Sequence, residues 1–167
     1  GLVRKGVQVC VFSRRSVAGM YSMMFQVAAL VGQGDAAQQW IAANQQRLQA
    51  LVDAAQRLPR RPRVYFEEWD EPNISAIRWV SELVGIAGGD DCFPELAREP
   101  MGKHSIIADP AEIVRRNPDI IFGSWCGKKF RPEKVAARPG WHDVNAVKNG
   151  RLFDIKSCDN LKPGTAA

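Results

Sequence analysis

The chain has 167 residues, 46% hydrophobic and 25% charged, with 23 Lys and Arg against 18 Asp and Glu. That length holds one ordinary domain with a sizeable core, and the composition excludes fibrous and disordered classes. No apolar run reaches the roughly 18–20 residues of a membrane helix. The net charge of +5 does not point to nucleic acid, because the basic residues form no stripe interleaved with aromatics. They cluster at 57–63 and 128–138, on either side of an acidic stretch at 67–71, an arrangement that suits a cation-bearing or large polar ligand.

In chain order, VQVCVF at 7–12 reads as a short buried strand, with Cys10 an inert core thiol. Ser16 is placed to cap a helix through about Leu30, with Met20, Met23, Met24, Val27 and Leu30 as its apolar side. The methionines read as core packing, with a ligand pocket as the alternative. Gly32 and Gly34 break that helix. A second is predicted from near Asp35 to Leu58, polar on most of its circumference and stopped by Pro59 and Pro62. So long a helix suits a strut between two bodies, or a helix lying across a sheet.

Residues 63–67 are predicted as a strand, followed by the acidic loop. A helix is expected over 73–87, closed by Gly88-Gly89. Residues 90–104 read as irregular and His104–Ala108 as a short strand. Asp109-Pro110 has the signature of a helix start, and that helix must end near Asn117, before Pro118. Further expectations are a strand at 119–123, a short helix at 132–138, a helical turn at 141–147 and a last strand at 151–155. Alternating strands and helices predict an α/β fold with a mainly parallel sheet. In such sheets ligands bind outside the C-terminal strand ends.

Three strand ends carry chemistry: Glu67-Glu68-Trp69, Ser124-Trp125-Cys126 and Ser157-Cys158-Asp159. If the strands are parallel neighbours, these loops meet on one edge and form a pocket wall. Trp69 and Trp125 then suit stacking on a planar ligand, or belong to the core. Glu67 and Glu68 are candidates for a cation or ligand site, or for a general acid–base pair. Adjacent strand residues face opposite ways, so one of the two at most points into the pocket. Cys126 is a candidate nucleophile or soft ligand, or a plain loop thiol; the alternative function is therefore a thiol- or carboxylate-dependent enzyme. The chain has no CxxC, GxGxxG, Walker A, GxSxG or HExxH pattern, and no cofactor is implied.

The order of motifs resembles the cobalamin- and iron-siderophore-binding proteins of ABC importers. The resemblance is carried by GVQVCVF with the long helix behind it, RVYFEEWDEP with RWVSELVGIAGG, DPAEIVRRNPDIIFGSWCGKK, and RPGWHDVNAVKNGRLFDI. It implies a non-enzymatic, periplasmic or extracytoplasmic solute-binding protein. Such a protein has two α/β lobes joined by a spine helix and takes a corrinoid or ferric siderophore in the cleft between them. On this resemblance residues 1–33 are the end of the first lobe, 34–58 the spine and 59–167 the second lobe. The rest of the cleft then comes from an absent segment or, in a dimer, from a second chain. The implied ligand wall is Glu67, Glu68, Trp69, Trp125, Cys126, Ser157, Cys158 and Asp159. The implied membrane partner is the permease, docked through Glu112.

Overall fold

The computed structural model describes residues 5–99 and 102–156. Its sheet is built on one long strand, β1 (Arg63–Asp70). β2 (Asn73–Ser75), β3 (Asp90–Asp91), β4 (Ile120–Gly123) and β5 (Leu152–Asp154) complete it in the order β2-β1-β4-β5, with β3 also on β1. All pairings are parallel except β1 with β2. The fold is thus α/β with a mainly parallel sheet. Val64, Tyr65 and Phe66 explain why β1 lies at its heart: an unbroken apolar run is what a strand covered on both faces requires.

β1 is longer than its sequence suggests. Glu68 to Asp70 were expected to be a loop, but they continue the strand because residues 73–75 fold back on this stretch as a hairpin. The turn is held by side chains: Asn73 Nδ2 donates to the Asp70 carbonyl (3.1 Å) and the Trp69 indole N–H to the Glu71 carbonyl (2.9 Å). The helix predicted from residue 73 therefore begins later, as shown below. The register slips between Glu67 and Trp69, so Glu68 sits in a bulge.

The helices are α1 (Val17–Leu30), α2 (Gly34–Ala55), α3 (Arg78–Ile86), α4 (Pro94–Ala97), α5 (Ala111–Arg116), α6 (Pro132–Ala136) and α7 (Asn145–Lys148). Ser16 caps α1 as expected, its hydroxyl accepting from the Gly19 amide at 3.0 Å. Only Met20 of the predicted apolar side is fully buried; Val27 and Leu30 face solvent. Asp109 accepts from the Ala111 amide at 3.0 Å, but the N-cap position of α5 falls on Pro110, one residue later than expected, and Asn117 ends α5 in the left-handed region at φ 46°. The strand expected at 104–108 is instead a 3₁₀ turn (Gly102–Ser105) with one bridge from Ile106 to Ile74.

The 22 residues of α2 span roughly 33 Å, and none is fully buried. It meets α1 through Tyr21 against Trp40 (6.3 Å between rings). Its C-terminal end closes on Gly88, where a Cβ would lie 2.7 Å from that of Ala55. Gly88 also has φ +85°, so it serves both the helix stop and the close approach.

The expected strand at 7–12 is absent. Val7, Val9 and Val11 are exposed, and so is Cys10, which was expected in the core. Among the described residues no strand lies beside this segment, so its backbone has no ladder to join.

Two apolar clusters cover the two sheet faces, as alternation along β1 and β4 demands. Tyr65 and Ile121 join Phe93, Ile113, Phe130, Val135 and Trp141 on one side. Phe66 joins Met20, Ala76, Trp79 and Val80 on the other, with Phe122 against them. The buried Asp119 ties the lower end of the sheet together. It accepts from Arg60 (2.7 Å), the Arg63 amide (2.9 Å) and Asn145 (3.1 Å), and the Arg60 contact above all holds its carboxyl far below the ordinary range.

Candidate functional site

The parallel register sets Glu67 beside Gly123 and Gly123 beside Asp154. The C-terminal ends of β1, β4 and β5 therefore lie in a row. Ser124 N–H donates to the Glu67 carbonyl (2.8 Å) and Ile155 N–H to the Gly123 carbonyl (3.0 Å), which fixes the exits of β4 and β5 to their neighbours. Trp69, Trp125 and the segment 154–156 thus share one edge. Ser157, Cys158 and Asp159 lie outside the described residues.

Each candidate side chain has a distinct placement. Glu67 is fully buried and points into the core on the Tyr65 side. Arg138 grips it with two guanidinium nitrogens, at 2.6 and 2.9 Å. The Trp125 indole N–H donates to the same carboxylate at 2.9 Å, and Asn73 Nδ2 at 3.2 Å. So connected a carboxylate has no face left for solvent or ligand. The expectation of an acid–base pair also fails on geometry, since Glu68 lies on the other side of the sheet.

Glu68 is largely buried in its bulge. It receives the Ile77 amide, but its Oε2 has no hydrogen-bond partner among the described residues. Burial pushes its carboxyl up to about 7. Because the folded state holds this proton more tightly than the unfolded chain does, Glu68 costs stability as pH rises through 7. Glu68→Gln is expected to stabilise the protein at pH 8 by the order of 1–3 kcal/mol, with the gain vanishing below pH ~4. Urea unfolding of both proteins at the two pH values checks this.

Trp125 is buried, its ring 5.1 Å from Phe130 in an edge contact. Of the two readings, a stacking face or a core residue, the structure favours the core: the Glu67 bond and Phe130 hold the ring inside. Trp69 is half-buried against the same cluster. Lys128 bridges the pair, its ammonium 4.4 Å from the Trp69 ring and 4.9 Å from that of Trp125, and it also pairs with Asp70. Cys126 is exposed on the same loop. Beside them lies a shallow cavity of about 320 Å³ lined by Trp125, Lys128, Lys129, Asp154 and Lys156.

The edge is therefore basic, not the acidic mouth expected. Glu67 is consumed by Arg138, Asp70 by Lys128, and Glu68 faces away. Sequence reasoning missed Lys128 and Arg138 as determinants of this site. The signal available was the basic cluster at 128–138 opposite the acidic stretch at 67–71: opposite charge runs at one sheet edge neutralise each other first.

Glu112 stands in the first turn of α5, and both its oxygens are taken, by Arg115 (2.7 Å) and Arg116 (2.9 Å). These bonds lower its pKa. Among the described residues no group of three or more His, Cys, Asp or Glu is placed to hold a metal ion.

A mainly parallel sheet with polar and aromatic side chains at its C-terminal strand ends is the α/β class in which ligands bind outside that edge. The sequence matches the periplasmic binding proteins over residues 2–158, and the chain belongs to that family. Comparison with curated proteins gives no significant match. Among solved structures, the chain is similar to a periplasmic binding protein from Veillonella parvula (TM-score 0.81, 20% identity, 99% of this chain and 60% of that one). It is also similar to IsdE of S. aureus complexed with heme (0.72, 20%, 92% and 60%). A third is CeuE of Helicobacter pylori with Ni(II) bound (0.76, 18%, 95% and 50%). This chain spans 50–60% of the length of those three, and at such identities the likeness concerns the fold.

Proposed function

We propose that this chain supplies one lobe and the connecting helix of the solute-binding component of an ABC importer, working outside the cytoplasmic membrane. Its ligand is a large planar metal complex, a corrinoid or heme-like tetrapyrrole, with ferric siderophores as the neighbouring class. In this reading residues up to 33 belong with the first lobe, α2 is the stiff link, and the sheet edge after β1, β4 and β5 is one wall of the cleft. The observation that carries it is the Lys128 ammonium over the Trp69 and Trp125 rings, with Lys128 and Trp125 also lining the cavity beside β5. An aromatic ring capped by a cation, next to a basic rim, suits a flat π-system that bears carboxylate or other anionic groups. The metal arrives already chelated, so the wall needs no ligand cluster of its own. Cys126, next to Trp125 on the same exposed loop, is a candidate axial contact. Glu112 is the proposed permease contact; an incoming arginine competes there with Arg115 and Arg116.

The test uses the complete protein, titrated with cobalamin, hemin and a ferric siderophore while Trp fluorescence is followed. At least one is expected to quench saturably at micromolar concentration or below. Trp69→Ala is expected to weaken that ligand about tenfold, the loss of roughly 1.4 kcal/mol of stacking and apolar contact. Absence of quenching by all three removes the transport reading. Unchanged affinity in Trp69→Ala removes this edge as the wall.

A further inference from the structure

A second cavity lies away from the cavity beside β5, where the segment 12–15 passes the start of α3. It holds about 310 Å³. Arg14, Arg15 and Arg78 line it, and so do Phe12, Ile77 and Trp79. No acid among the described residues pairs with Arg14, whose stem lies along Gly19, 3.3 Å from where a Cβ there would stand. Arg15 donates to the Glu99 carbonyl at 3.1 Å. Arg78 pairs with Glu82 at 3.0 Å, and that acid also accepts the Val17 amide (2.8 Å). Glu99, the one carboxylate on the cavity wall among the described residues, is engaged by His104 at 3.3 Å. Three arginines thus line a space that has, among the described residues, one acid on its wall.

Guanidinium groups gathered around a recess are a recognition element for oxyanions, because each presents a planar fork of donors. Here the fork stands beside two aromatic rings and an isoleucine. Inorganic phosphate makes no use of such a wall, whereas an organic acid with an apolar body uses both halves. We propose that this cavity is a binding site for an amphipathic organic carboxylate. Arg14 and Arg78 hold its head group, and Phe12, Ile77 and Trp79 take its body. The site needs no metal complex, so it stands or falls independently of the transport reading.

The probe is 2-naphthoate, compared with 2-naphthamide and inorganic phosphate, each titrated into the full chain by calorimetry and by ligand-observed NMR. Naphthoate is expected to bind at least tenfold more tightly than either comparison compound. The Arg14→Gln/Arg78→Gln protein should lose at least tenfold for naphthoate and nothing for the amide, with an unchanged melting temperature. Arg151→Gln, which removes an exposed charge elsewhere, should change nothing. Equal binding of acid and amide overturns the head-group assignment. Phosphate binding as tight as naphthoate overturns the apolar half. Failure of naphthoate to bind overturns the site. If the double variant melts lower, Arg14→Lys/Arg78→Lys decides: retained acid-over-amide preference supports the site and a lost preference overturns it.

Discussion

Arg138→Met is expected to destabilise the protein by about 3–5 kcal/mol, the usual effect of leaving a buried charge without its partner. Glu67 is fully buried, and the Arg138 guanidinium, one-fifth exposed, is its only cationic contact among the described residues. The Trp125 and Asn73 bonds remain in the variant, but they are neutral donors and cannot replace a fork of two charged N–H groups. The loss is a large part of a typical total of 5–15 kcal/mol. The double variant Glu67→Gln/Arg138→Met removes the charge together with its partner and should recover most of it. Urea unfolding of the three proteins measures both effects. A single variant within 1 kcal/mol of the wild-type chain would mean that the pair opens to water. The consequence reaches the proposed site: Glu67 also anchors the Trp125 indole, so the loop that carries Lys128 is expected to loosen with it. Tryptophan emission shifting to longer wavelength in the native baseline of Arg138→Met would report that.

Why was this pair hidden in the sequence when the fold was largely visible? The alternation of apolar runs and helix signals is a local property, and it placed β1, β4, β5, α1, α2 and α5 within a few residues. Where local signals competed, position was lost. Asn73-Ile74-Ser75 has helix-compatible spacing, yet the hairpin with Glu67 to Asp70 claims it, because a strand left with a free edge gains more from ladder bonds than a helix gains from one more turn. VQVCVF has the right residues for a strand but no neighbour to pair with among the described residues. Strand ends converging on one edge follow from parallel order alone. The identity of the carboxylate that stays free does not, because Arg138 lies 71 residues from Glu67 and nothing in spacing joins them. Glu68, read as a ligand group, turned out to be set by a one-residue bulge, which alternation cannot foresee.

Gly123→Ala is expected to cost about 3 kcal/mol, at the upper end of overpacking effects. Gly123 ends β4 between Glu67 and Asp154, and the Phe130 ring occupies the space a side chain there would need. A Cβ there would sit 1.8 Å from one ring carbon and 2.0 Å from another. No small adjustment relieves that overlap, since Phe130 is itself buried and wedged against Trp125. The ring has to leave or the strand has to shift, and either moves the loop that begins at Ser124. The partner variant Phe130→Val makes the room that a methyl group at 123 needs. On its own it leaves a cavity and costs a few kcal/mol. Combined with Gly123→Ala it should cost at least 1 kcal/mol less than the sum of the two single changes, because the added methyl fills part of that space. Thermal or urea unfolding of the four proteins closes the cycle. Additivity within about 0.5 kcal/mol would show that ring and glycine are not in contact in solution. The proposed wall would then need another explanation for how Trp125 and Lys128 are held in line with Trp69.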